Sequence, residues 1–301
     1  MYITLFLSAL LFFFLQFYYT TASTSDGFEA QFGYSGEKGP NTNAWPPLCH
    51  SGDRQSPIDI HLASAVSSDL APINFHNYDH RGPVVITNNG HSVTASGFDK
   101  WVTRDSKQPF ITGGGLDGKY YLVGFHFHWG THDKEGSEHT VNGQHFPLEV
   151  HFVHQKANLT AVESKSKSDG LAVVAVWFYI DNNNDKPLAQ LEKAYLNTDF
   201  YDQTFNINDV LLNDMIPSNR ASYFRYDGSL TTPSCEESVI WTIFQEPLTV
   251  VDRQLSELRN HSSTLGNKLH NYRNAQPLYN RKDTFSVSQK SLQMRTVFEQ
   301  T

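Results

Sequence analysis

Short runs in which apolar and polar residues alternate dominate the chain. The run VVITNNGHSVTAS at 84–96 predicts two strands around a turn, and the runs at 120–130 and 146–155 predict two further strands. The run LAVVAVWFYI at 171–180 is apolar throughout, which is typical of a strand buried on both faces. These patterns predict a core made of a large sheet.

Helical periodicity is confined to two segments, 185–196 and 249–262. We expect both to lie at the periphery of the sheet. The chain has no internal repeat and, after residue 40, no linker rich in Gly, Ser or Pro. We therefore predict a mainly β protein with peripheral helices (α+β), in which residues 23–301 form a single domain.

The composition fits one large globular domain. Hydrophobic residues make up 39% of the 301 positions, enough to bury a substantial core. The net charge is -8, and no run of Lys and Arg is long enough to follow a phosphate backbone. These features argue against nucleic acid and anionic membrane surfaces as partners.

The first 22 residues differ from the rest of the chain. Residues 3–19 are mostly Leu, Phe, Ile and Tyr, and small residues suited to signal peptidase follow at Thr20 to Ala22. We predict that residues 1–22 are a cleaved signal peptide and that the mature protein is secreted, without stable membrane association. An uncleaved signal anchor is the alternative, because no Lys or Arg precedes the apolar run and its length approaches the ~20 residues that span a bilayer.

The two cysteines, Cys49 and Cys235, fit an extracellular protein. In an oxidising compartment a lone pair of cysteines favours a disulfide, and two buried free thiols are the alternative. The sequons at Asn158 and Asn260 predict glycosylation at surface positions.

The segment FHFHWG places two histidines on one face of a predicted strand, because His126 and His128 are two residues apart. The segment LEVHFVH places Glu149 and His151 on one face of a second predicted strand. If these strands are neighbours, three imidazoles occupy three corners of a tetrahedron, which is the ligand set of catalytic zinc sites with an open fourth position. Satisfied core histidines are the alternative, but each unpaired buried polar group costs ~1–3 kcal/mol, and a shared metal satisfies all three.

Seven blocks, which occur in the family's order over residues 28–285, are similar to those of the animal-type (alpha) carbonic anhydrases. The resemblance implies a large, twisted, mostly antiparallel sheet with zinc at the floor of a conical cavity. It also implies reversible hydration of carbon dioxide to bicarbonate and a proton, by attack of zinc-bound hydroxide, with His126, His128 and His151 as the zinc ligands. The blocks are RQSPIDI, NNGH, FHFHWG, GSEHT, LEVHFVH, GSLTTP and NAQPL.

The resemblance also assigns roles around the metal. It implies that Thr231 donates to Glu138 and accepts from the hydroxide, which orients the nucleophile, and that His91 carries protons to buffer. Asn89 and Tyr34 match positions that order water. The residues implied to bind the substrate are Thr231, Thr232, Val153, Val173, Leu230, Val239 and Trp241.

The resemblance further implies that Glu149 and the backbone carbonyl of Asn271 orient His151 and His128. The chain departs from the family at Gly124, where many relatives carry a glutamine that accepts from the first histidine. The other departure is Thr94, which replaces an asparagine of cytosolic relatives.

Two other functions are compatible with parts of this pattern. One is a catalytically silent binding or matrix protein on the same fold, but silent members lack at least one of the three histidines. The other is a zinc hydrolase of another class, but the chain has neither Gly-x-Ser-x-Gly nor His-Glu-x-x-His. An active, zinc-dependent carbonic anhydrase is therefore the prediction.

Overall fold

The computed structural model of the chain describes residues 32–34, 45–101, 107–264 and 266–281, and the backbone of 284–286. The predicted signal peptide lies outside these residues. The helices are α1 Leu48–Ser51, α2 Ala161–Ser166, α3 Lys186–Ala189, α4 Glu192–Tyr195 and α5 Asp252–Asn260, with 3-10 turns at Phe98–Trp101 and Leu212–Met215. The strands are β1 Asp59–Ile60, β2 Val66–Ser68, β3 Ile73–His76, β4 Arg81–Asn88, β5 Val93–Ser96, β6 Phe110–Gly113, β7 Tyr120–Trp129, β8 Thr140–Val141, β9 Leu148–Lys156, β10 Leu171–Ile180, β11 Thr204–Leu211, β12 Tyr223–Gly228, β13 Val239–Phe244, β14 Leu248–Val250 and β15 Thr284–Ser286.

A sheet of 13 strands forms the centre of the described fold, and β1 and β8 pair separately. Its main path runs β11-β4-β5-β7-β9-β10-β13-β12-β15-β2. Most neighbours are antiparallel, whereas β10 is parallel to β13 and β14, and β15 is parallel to β2. The predicted mainly β fold on a mostly antiparallel sheet is therefore confirmed.

The predicted strands at 84–96 form the hairpin of β4 and β5. The side chain of Asn89 fixes the turn, because its Oδ1 accepts from the backbone N–H groups of His91 and Ser92 at 3.0 and 2.8 Å. Gly90 has a φ of 81°, a conformation that favours glycine. The polar sequence NNGH is therefore a turn signal as well as a candidate functional segment.

Strand β10 is apolar throughout because both of its faces are covered. Val174 and Val176 belong to the larger hydrophobic cluster. Val173 and Trp177, which point to the opposite face, belong to the smaller one. The strand therefore lies between two apolar layers, as predicted.

The two helix predictions are wrong at their boundaries. The segment 185–196 forms two short helices. The backbone N–H groups of Leu191 and Ala194 each donate to the carbonyl three residues earlier, which tightens the chain there. The segment 249–262 begins as the end of β14, and α5 starts at Asp252, where Gln254 accepts from the backbone N–H of Val251 at 3.3 Å. Sheet pairing at Thr249 overrides helical periodicity, because this residue is opposite Tyr179 of β10.

Cys49 and Cys235 form a disulfide, so the free-thiol alternative is wrong. The bridge spans a sequence separation of 186 residues. In the chain-entropy model, closing so long a loop stabilises the fold by about 5 kcal/mol, before any native-state strain is subtracted.

The sequon residues Asn158 and Asn260 are both exposed. Asn158 lies in a turn with a φ of 65°, and Asn260 ends α5 and accepts from Lys268 Nζ at 3.0 Å. In the described part of the chain, no helix combines the length and the apolar character that a membrane span requires.

Candidate metal centre

The three predicted histidines converge because β7 and β9 are antiparallel neighbours. Their register places His126 opposite His151 and His128 opposite Glu149. One nitrogen from each of the three imidazoles lies within 4.8 Å of the others. The ring centroid of His128 is 4.4 Å from that of His151 and 4.9 Å from that of His126. The pairing of the two strands, which the sequence left as an assumption, therefore brings the triad together.

Hydrogen bonds on the far side of two imidazoles define their orientation. His128 Nδ1 donates to the carbonyl oxygen of Asn271 at 2.6 Å, and His151 Nε2 donates to Glu149 Oε1 at 2.6 Å. Since each far nitrogen carries the hydrogen, each near nitrogen carries a lone pair. Those near nitrogens, His128 Nε2 and His151 Nδ1, face each other at 3.1 Å. Two facing lone pairs repel, so the arrangement requires a cation or a proton between them.

Burial disfavours a proton in this position. Desolvation, helped by the neighbouring histidines, lowers the pKa of His126 to about 3 and holds the pKa of His128 well below its ordinary value. Desolvation also lowers the pKa of His151, although Glu149 opposes the shift. The imidazoles are therefore neutral at neutral pH, which is the form that binds zinc. The residues present fit a zinc ion.

A second cluster of possible ligands adjoins the triad, but its atoms are already bound to each other. Glu149 Oε1 accepts from His139 Nδ1 at 2.6 Å as well as from His151, and Glu149 Oε2 accepts from the backbone N–H of His139 at 2.9 Å. His139 Nε2 lies 2.7 Å from the hydroxyl of Tyr226. Burial raises the pKa of Glu149, but the two histidines outweigh it and hold that pKa well below its ordinary value. This cluster holds His151 in place and offers no free metal site.

His139 was not among the predicted site residues. Its signal was weak, since His139 follows Glu138 directly in GSEHT but lies outside the strands that carry the triad. Its ring centroid is 5.9 Å from that of His151.

Glu138 is fully buried beside the triad. Its Oε1 accepts from the backbone N–H of Arg273 at 2.9 Å and lies 3.5 Å from His128 Nδ1. Burial raises the pKa of Glu138 well above its ordinary value, whereas the Thr231 hydroxyl and the Arg273 N–H lower it. The Thr231 hydroxyl is therefore close to this carboxyl, although in the described chain Oε2 has no partner at hydrogen-bond distance and angle.

The apolar residues that the resemblance assigned to the substrate all belong to the smaller hydrophobic cluster or pack against it. Trp241 links these residues to the metal centre, since its ring contacts that of His151 with centroids 4.7 Å apart. Thr231 is buried, and the carbonyl of Thr232 accepts from the backbone N–H of Cys235 at 2.9 Å. The disulfide is thus part of the same loop. The apolar members are Val153, Val173, Leu230, Val239 and Trp241.

His91 lies in the hairpin turn and is 8% exposed. Its ring stacks on that of Phe32, with centroids 4.0 Å apart and an interplanar angle of 9°. Tyr34 packs edge-on against the same phenylalanine at 5.6 Å. The side chain of Asn271 donates to the backbone carbonyl of His91 at 3.0 Å, so one residue contacts both this turn and His128. Phe32 was not among the predicted site residues.

The comparisons with known proteins agree with this geometry. Residues 39–286 match the family model described as eukaryotic-type carbonic anhydrase. The chain is 37% identical over 261 residues to human carbonic anhydrase 7, covering 83% of this chain and 95% of the relative. It is 34% identical over 259 residues to rat carbonic anhydrase 4, covering 81% of each, and 37% identical over 240 residues to human carbonic anhydrase 12, covering 75% and 62%. With a fold, a histidine triad and relatives that all agree, the chain belongs to the eukaryotic-type carbonic anhydrase family.

Proposed function

We propose that this chain hydrates carbon dioxide reversibly with a zinc ion held by His126, His128 and His151. The observation that carries the proposal is that His128 Nε2 and His151 Nδ1, each with a lone pair, face each other at 3.1 Å. A zinc ion would satisfy both, and the imidazole of His126, whose ring centroid is 4.9 Å from that of His128, would be its third ligand.

A zinc ion held there would supply a nucleophile at neutral pH, because zinc lowers the pKa of a bound water to about 7, an effect for which carbonic anhydrases themselves are the standard example. The three ligands of this chain are neutral, so they leave the ion its full double charge. Glu149 and the Asn271 carbonyl hold two of the rings by their far nitrogens.

Thr231 and Glu138 orient the nucleophile. When the Thr231 hydroxyl donates to the Glu138 carboxylate, its oxygen can only accept from the nucleophile, which directs the remaining lone pair of the nucleophile toward the carbon of carbon dioxide. Burial alone favours the protonated Glu138, whereas the Thr231 hydroxyl and the Arg273 N–H favour the carboxylate. A divalent cation held by the triad would favour the carboxylate as well.

Carbon dioxide is small and carries no net charge, so an apolar wall is enough to hold it beside the nucleophile. Val173, Val239 and Trp241 are buried, and Val153 and Leu230 pack against them with part of their surface exposed. We propose this wall as the substrate site.

His91 is the proposed proton carrier, and its removal should slow turnover selectively. With His91→Ala, we expect turnover in weak buffer to fall about 10-fold or more, because few other groups have a pKa near 7. Added imidazole should restore it. Stopped-flow hydration at several buffer concentrations measures both effects, with zinc content as the control. Failure of imidazole to restore the rate in a zinc-loaded variant would remove His91 from this role.

The proposed reaction itself is tested by the rate of carbon dioxide hydration before and after zinc removal. The purified chain should be active, lose activity with a chelator and recover it with zinc. A zinc-loaded chain without hydration activity would favour the silent binding protein instead.

We also propose that the protein is secreted and glycosylated. The Cys49–Cys235 disulfide and the exposed positions of Asn158 and Asn260 support this compartment.

A further inference from the structure

The three imidazoles of the triad are not held equally. His128 and His151 each donate from the far nitrogen to an acceptor at 2.6 Å. His126 makes no side-chain hydrogen bond within the described residues. Its ring packs edge-on against those of His128 and His151, with centroids 4.9 and 5.2 Å apart. His126 also keeps partial solvent exposure, whereas His128 and His151 are buried to 0% and 1%.

Gly124 offers no side-chain acceptor to His126. The two residues are two positions apart on β7, so they share a face of the strand. The register with β9 shifts between Leu122 and Gly124, which places the glycine at a bulge. Glycine has no side chain, so this position contributes nothing that accepts from the imidazole.

A side chain at this position would contact the backbone of β5. A Cβ at Gly124 would meet the carbonyl oxygen of Ala95 at 3.0 Å, a contact that requires a shift of a few tenths of an ångström, and the glycine does not adopt a positive φ. Gly124→Ala, which adds only this Cβ, therefore serves as the control for the cost of that shift.

We propose that Gly124 makes His126 the weakly held zinc ligand, so that zinc leaves and enters this site faster than it would with an acceptor side chain at position 124. The inference rests on the proposed zinc site. A metal-bound imidazole usually donates its second N–H to an acceptor, and losing such a partner typically costs about 10-fold to 100-fold in metal affinity.

The test compares zinc release from the zinc-loaded wild type, Gly124→Gln, Gly124→Met and Gly124→Ala into excess chelator. Gln supplies an amide oxygen at the end of its side chain, Met fills a similar volume without a comparable acceptor, and Ala adds the Cβ alone. We expect Gly124→Gln to release zinc about 10-fold more slowly than the wild type, and Met and Ala to differ little from it.

A second measurement follows the hydrogen bond directly. In zinc-loaded protein with ¹⁵N-labelled histidine, the ring N–H of His126 should exchange quickly with water in the wild type and be protected in Gly124→Gln. Equal slowing by Gln and Met would mean that closing the site, and not the hydrogen bond, controls release, and it would overturn the inference. Equal release rates in zinc-loaded Gln and Ala variants would overturn it too, whereas a chain that binds no zinc in any form would overturn the proposed function as well.

Discussion

Replacing His151 with alanine is expected to abolish zinc binding and carbon dioxide hydration together. His151 supplies one of the two nitrogens that face each other at 3.1 Å, and alanine has no ligand atom that could replace it. Its removal also takes one hydrogen-bond donor from Glu149. Because removing a partner of a ligand already weakens metal binding by about 10-fold to 100-fold, removing the ligand itself should exceed that loss.

The measurements are zinc per chain after dialysis and the stopped-flow hydration rate of His151→Ala. His132→Ala is the control, because the side chain of His132 is 62% exposed and belongs to neither cluster. It should keep both zinc and activity. Wild-type hydration by a folded His151→Ala chain would show that the ligand assignment is wrong.

Replacing Thr231 with valine should lower kcat about 100-fold while zinc content stays unchanged. Valine keeps the shape of threonine but lacks the hydroxyl that directs the nucleophile, and removing one positioned hydrogen-bonding group of this kind typically costs 10²–10³ in kcat. The hydroxyl is also one of the groups that lower the pKa of Glu138. Since Thr231 is not one of the three proposed ligands, the effect should fall on the reaction and not on metal binding.

Thr231→Ser is the matched variant, because it restores the hydroxyl without the methyl group. It should recover most of the lost rate. Equal activity in the valine and serine variants would mean that the hydroxyl does not orient the nucleophile, and loss of zinc from both would show that the loop acts on the metal site instead.

Local sequence patterns were sufficient for the central part of the site. The alternation along β7 placed His126 and His128 on one face of that strand, and the alternation along β9 placed Glu149 and His151 on one face of its own strand. That the two strands are neighbours was an assumption, and the structure confirms it and shows that they are antiparallel. Periodicity works here because a shift of one residue in register would exchange the histidines with the apolar side chains on the opposite face of each strand.

The remaining contacts depend on residues that are distant in the chain. His139 reaches Tyr226, 87 residues away, and Tyr226 in turn donates to Ser56 Oγ at 2.9 Å. The stacking of Phe32 on His91 depends in the same way on how a distant segment packs. Such contacts are decided by tertiary packing, and no local pattern specifies them.

The most direct test of the account is the metal content of the purified wild-type chain combined with X-ray absorption at the zinc edge. We expect one zinc per chain with three histidine nitrogens at ~2.0–2.1 Å. A chain that holds no zinc, or a zinc ion bound by the carboxylate of Glu149 in place of one imidazole, would contradict it.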